Sequence, residues 1–169
     1  MKRFAMVCLL GVFLISCNQE QETAPASSID WEARTVDFPL PASLESGSTY
    51  LSVYSQIYSL TEHRTHDLTV TTSIRNTSRA DTLIIDRAEY FDTHGSPIRA
   101  YVDGPVYLVP METIEIVIAA KDREGGTGAN FMFDWRIQPG SNEPLFEGVM
   151  ISTSGQQGLS FSTRGIRVE

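Results

Sequence analysis

The chain is nearly without cysteine. Cys8 and Cys17 are the only two in 169 residues, so everything after residue 17 lacks a thiol. That absence excludes a disulfide framework, a thiolate nucleophile and a zinc-cysteine site from the body of the protein. Its stability has to come from an ordinary hydrophobic core. Histidine is nearly as scarce, at three residues, His63, His66 and His94. With no Gly-x-Ser-x-Gly and so few imidazoles to act as base, serine hydrolysis has no visible machinery. Carboxylate pairs such as Asp86 and Glu89, or Asp92 and Asp103, are too ordinary in an acidic chain to imply glycoside cleavage. No enzyme is read, and no cofactor is implied. A long apolar run is missing too, since Phe4 to Ile15 falls short of a dependable span of a ~30 Å hydrocarbon core. No segment sustains a helical repeat.

What is present begins with that short apolar run. Lys2 and Arg3 precede it and Leu14-Ile15-Ser16-Cys17 closes it, the three-part build of an export signal. The closing residues resemble the lipobox of bacterial lipoproteins. The resemblance implies diacylation of the Cys17 sulfur, cleavage before it and acylation of the new amine. Two or three acyl chains, at ~0.8 kcal/mol per buried CH₂, would make release from a bilayer very slow. Asn18 stands where an aspartate signals inner-membrane retention in enteric bacteria, so the outer membrane is the favoured destination, facing the periplasm.

Loss of the leader, read as residues 1–17 with the cut falling before Cys17, takes two basic residues and no acid, which leaves 11 Lys plus Arg against 21 Asp plus Glu and a formal charge of −10. Such a surface repels nucleic acid and anionic head groups. Residues 18–45 read as a flexible tether and a loosely docked arm. The stretch Asn18 to Ser28 is polar and cannot bury enough surface to offset its ordering entropy. From Ile29 to Pro41 apolar residues return but are broken by prolines, which suits an arm lying along the domain better than a central strand.

Residues 46–169 form the expected domain, long enough for one core and too short for two. Leu68, Val70 and Ile74 share one face of a period-two run. Ile114, Ile116 and Ile118 repeat the pattern, as do Phe131, Phe133, Trp135 and Ile137, and Leu145, Val149 and Ile151 nearer the end. Turn residues punctuate these runs at 76–78, 93–97, 110–112 and 139–142. The expectation is an all-β, antiparallel, two-sheet immunoglobulin-like sandwich of about eight strands. In the pair Tyr90-Phe91 at a strand end, one ring faces the core and one faces out.

Several segments carry a closer likeness: Tyr54 to Tyr58, Glu124 to Phe131, Asn142-Glu143-Pro144, Val149-Met150-Ile151, and Gln156 to Phe161 with Arg164-Gly165. In combination they resemble the bacterial family known as domain of unknown function 3124, over roughly residues 50–168. The resemblance implies one exported domain and carries over no activity, ligand or catalytic residue.

Four features could carry chemistry. The loop Gly125-Gly126-Thr127-Gly128 leads into Asn130 and a strand, not into a helix N-terminus, and no Gly-Lys-Ser/Thr follows; it is no phosphate cradle. It reads either as a turn whose backbone passes close to a neighbour, or as a contact for a ligand or partner, with Asn130 orienting a polar group. The run Glu62-His63-Arg64-Thr65-His66-Asp67 has ligand chemistry for zinc or copper, but His63 and His66 lie on opposite faces of an extended segment. Gln156, Gln157 and Arg164 can read a carboxylate or a sugar, and would form a recess if they met the Gly125 loop. Tyr50, Tyr54 and Tyr58 would share one strand face, either within the core or as a binding row. The favoured function is a lipid-anchored envelope protein with a binding or assembly module for another envelope protein or a polysaccharide. The alternative is a periplasmic receptor for a small ligand or metal.

Overall fold

The computed structural model describes residues 29–153 and 158–169. Cys17, the stretch 18–28, Gln156 and Gln157 lie outside the described residues.

The alternating runs become strands whose apolar positions point inward. In chain order these are β1 (Glu45–Ser52), β2 (Gln56–Ser59), β3 (Thr61–Asp67), β4 (Thr69–Arg75), β5 (Leu83–Phe91), β6 (Pro97–Leu108), β7 (Thr113–Ile118), β8 (Asn130–Ile137), β9 (Leu145–Ser152), β10 (Leu159–Arg164) and β11 (Ile166–Arg167). One sheet has the order β11-β1-β8-β5-β6 and the other β10-β9-β4-β7; β2 and β3 form a separate hairpin. All pairings are antiparallel. The predicted turns fall in connections between strands, the one at 93–97 ending on Pro97, the first residue of β6.

The two sheets share one core. Ile114, Ile116 and Ile118 of β7 are buried in the same cluster as Phe131, Phe133 and Trp135 of β8, while the intervening residues of β8 stay half-exposed. Stacked rings run through it: Tyr90 on Phe131 at 4.9 Å, Phe131 on Phe133 at 5.3 Å, and Phe133 on Phe146 of the opposite sheet at 4.3 Å. Each such side chain contributes about 1.5–3 kcal/mol when fully buried. Trp135 finds its polar partner inside, donating to the Thr49 hydroxyl at 2.9 Å.

The central pairings β4–β7, β5–β8 and β5–β6 are those that immunoglobulin-like sandwiches make between strands B and E, C and F, and C and C′. The flanks are exchanged: β1, from the start of the chain, lies beside β8, where the last strand would sit. Correspondingly β9 lies beside β4, in the place of the first strand.

Two expected faces differ from the observed ones. In β9 the inward residues are Phe146, Gly148 and Met150, while Val149 and Ile151 are each 42% exposed. Both faces of this strand carry apolar residues, and Phe146, stacked on Phe133, holds its own face in the core. The tyrosine row is broken because β1 ends at Ser52 and β2 begins at Gln56. Tyr54 packs edge-on against Phe161 at 5.7 Å, and Tyr58 is exposed.

Ahead of β1, a 3₁₀ turn at Glu32–Arg34 leads along the edge of β6. Thr35 bridges to Val106, and the Val36 amide donates to the Pro105 carbonyl at 2.9 Å. Arg34 donates to Glu112 at 2.6 Å, and Ile29 and Trp31 pack against the core. The Arg34 bond is the first cause holding the Glu112 carboxyl below its ordinary value, with burial opposing it.

Candidate functional site

The antiparallel register sorts the connections onto two ends. One end gathers the 53–55 crossover, the β2–β3 hairpin, the β5–β6 turn and the loop between β7 and β8. The other gathers the connections after β4, β6 and β8, together with the arm at Arg34 and Glu112.

At the first end the glycine loop is a structural base. Gly125 is buried between Tyr90, Ser55 and Ala129: a Cβ there would overlap the Tyr90 hydroxyl and lie 2.7 Å from the Ala129 Cβ and 2.8 Å from Ser55 Oγ. Ser55 Oγ and the Tyr90 hydroxyl share a buried hydrogen bond of 2.7 Å. Burial pushes the Tyr90 hydroxyl above its ordinary pKa, with the Ser55 bond acting in opposition. Thr93 ties the β5–β6 turn to the loop. Its amide and its hydroxyl both donate to the Gly125 carbonyl, at 3.1 and 2.9 Å, and its Oγ1 accepts from the Gly128 amide at 2.9 Å. Gly126 sits at φ 68°, a left-handed conformation that glycine adopts without steric cost. Its amide donates to Arg123, and its carbonyl accepts the Gln56 amide at 3.0 Å. The loop's glycine backbone groups are therefore largely spent on the protein itself.

That base carries the hairpin. Gln56 Nε2 donates to Asp67 Oδ1 at 2.8 Å and to Thr65 at 3.2 Å, Arg123 bonds Asp67, and Thr127 donates to the Tyr58 hydroxyl at 3.5 Å. The Arg123 bond, followed by that of Gln56, lowers the Asp67 pKa. Tyr58 and Ser59 pair with Thr65 and Thr61, so Glu62, His63 and Arg64 bulge from β3 as extra residues. His63 is exposed beside Glu62, at 3.5 Å, and His66 stands opposite Ile57. Among the described residues no three or more His, Cys, Asp or Glu side chains gather as a metal site would require.

Arg164 lies elsewhere. The register puts it level with Glu147 and Ser73, whereas Gly125 touches Ser55, whose carbonyl accepts from Leu68. Leu68 and Ser73 are five residues apart along one extended segment, ~17 Å, so Arg164 and the glycine loop do not form one recess. Asn130 opens β8 on the outer face, between Ser52 and Phe91. Sequence reasoning singled out Gly125 but missed Ser55 and Thr93 as its partners. A small hydroxyl residue beside a strand end carries no signal until the tertiary fold brings it into place.

An acidic, all-β sandwich with its connections sorted onto two ends is the class these features define. The chain belongs to the family described as protein of unknown function (DUF3124), whose model matches residues 46–168. No curated protein matches it. Among solved structures it is similar to that of Thermotoga maritima 1070, at 13% identity and a TM-score of 0.42, over 71% of this chain and 94% of the other.

Proposed function

We propose that the protein is a lipid-anchored binding or assembly module of the bacterial cell envelope. Cys17 holds it to the membrane, the outer one being favoured, and the hairpin end meets another envelope component on the periplasmic side. One observation carries this reading beyond the lipobox-like sequence. Arg34, five residues after Ile29, the first described residue, donates to the Tyr107 carbonyl and to Glu112, at the end opposite the hairpin. A tether leading to that end would turn the hairpin outward, about 25 Å further from the bilayer along strands of eight residues.

The anchor is tested by radiolabelled palmitate and membrane sedimentation. Wild-type chain is expected to take up label and pellet with membranes, and Cys17→Ser to do neither. An unlabelled chain with its leader intact in the soluble cytoplasmic fraction would overturn the reading.

A further inference from the structure

The arm ahead of β1 is held by few contacts. Its 3₁₀ turn, Glu32–Arg34, has no buried residue. It meets β6 through one isolated bridge, Thr35 to Val106, and one backbone bond, from the Val36 amide to the Pro105 carbonyl at 2.9 Å. Arg34 adds its bonds to Glu112 and to the Tyr107 carbonyl, but the two side chains of the ion pair stay 25% and 22% exposed. Val36 is buried, Ile29 and Trp31 only partly. The link 37–43 that follows is exposed save for Leu40, and among the described residues its only backbone bond is local, from the Leu44 amide to the Pro41 carbonyl at 3.3 Å. β1 is held differently: it pairs with β8 along its whole length, and β11 pairs on its other side.

A segment with few buried apolar contacts and water-facing bonds opens at a smaller free energy than the strands it lies against, because less offsets its ordering entropy. The arm also stands in the chain between Cys17 and the sandwich, so a pull between the two loads it before any strand. Docked, it adds little length. It runs antiparallel to β6 from Tyr107 toward Pro105, and the link then returns to Glu45, which pairs with Ile137 at the end where Arg34 sits. The stretch thus doubles back. Drawn straight, its sixteen residues, 29–44, would span up to ~55 Å.

We infer that residues 29–44 are a reserve of tether length: the arm leaves β6 as one unit while the sandwich stays folded, and the domain then stands further from its anchor. This rests on the proposed anchoring for the direction of the load and not for the release itself. The test pulls the full chain in optical tweezers, with Cys8→Ser so that one handle sits on Cys17 alone and with His94→Cys to take the other. The expected trace has a first step of up to ~55 Å at a force below that of the main rupture. Trp31→Ala or Arg34→Gln should lower the force of the first step and leave the rupture unchanged. In the wild-type chain without load, the Val36 amide is expected to exchange at least ~100-fold faster than the Val53 amide, which donates to the Ala129 carbonyl inside the core. A single rupture with no earlier step, arm variants that shift both events equally, or a Val36 amide protected like that of Val53 overturns the inference. Neither measurement needs lipid. Palmitate uptake by a chain that shows only a single rupture therefore defeats the reserve and leaves the anchor standing, and release in a chain that takes up no palmitate does the reverse.

Discussion

Gly125→Ala distinguishes a structural glycine from a ligand-contacting one. The new methyl group would overlap the Tyr90 hydroxyl and approach Ala129 Cβ to 2.7 Å and Ser55 Oγ to 2.8 Å. Tyr90 has no room to retreat, being fully buried and stacked on Phe131 at 4.9 Å. Overpacking of this kind costs about 1–3 kcal/mol. Losing the Ser55–Tyr90 hydrogen bond adds about 1 kcal/mol. The expected destabilisation is therefore ~2–4 kcal/mol, a large part of the ~5–15 kcal/mol available to a domain. Gly125, unlike Gly126, is not at positive φ, so steric overlap rather than backbone strain is the cause. That identifies a compensating change. Tyr90→Phe removes the hydroxyl that the methyl group meets first, and the double variant should be more stable than the sum of the single effects by at least ~1 kcal/mol. Urea denaturation of the domain in the four-variant cycle measures this. A Gly125→Ala cost below ~0.5 kcal/mol, or strict additivity, would refute the packing argument.

Three further perturbations follow from the same geometry. Thr49→Val keeps the shape but removes the acceptor of the buried Trp135 indole N–H, and should cost about 1–3 kcal/mol in urea melts, with a change in near-ultraviolet dichroism of the tryptophan. Asn76→Ala should cost at least as much: the buried amide donates to the carbonyls of Asp81, Leu108 and Val109 and accepts from the Ser78 amide, and these bonds are lost together. For pH, Glu112 has a folded pKa below its ordinary 4.5 because of its bond to Arg34. Its contribution is thus complete above about pH 4.5 and is lost as pH falls through the folded value. Hydrogen exchange at residues 34–36 should quicken over that acidic window, and Arg34→Gln should remove the dependence; exchange insensitive to both would contradict it.

Much of the fold was legible because alternation and turn chemistry are local. The runs at 114–118 and 130–137 each showed their inward face directly, and Tyr90-Phe91 divided as a strand end requires, with Tyr90 buried and Phe91 half-exposed. Where both faces are apolar, as in β9, period alone gave no direction, and ring stacking of Phe146 on Phe133 decided it. The tyrosine row failed because three residues, 53–55, leave the strand to cross beneath the glycine loop, where the Val53 amide reaches the Ala129 carbonyl at 2.9 Å. The candidate site was legible at its glycines and not at their partners. Ser55, Tyr90 and Thr93 reach Gly125 from sequence separations of 32–70 residues, and no local pattern encodes that meeting.

The proposed polarity, with the arm toward the membrane and the hairpin end away from it, admits a direct measurement. Residues after Cys17 contain no thiol, so a single cysteine placed by His94→Cys or Arg79→Cys in the full chain takes one fluorophore. The first position is in the exposed β5–β6 turn at the hairpin end and the second in the exposed connection after β4 at the arm end. In native membranes bearing a head-group quencher, the label at position 79 is predicted to be quenched more strongly than the label at 94. Equal quenching, or stronger quenching at 94, would contradict the account.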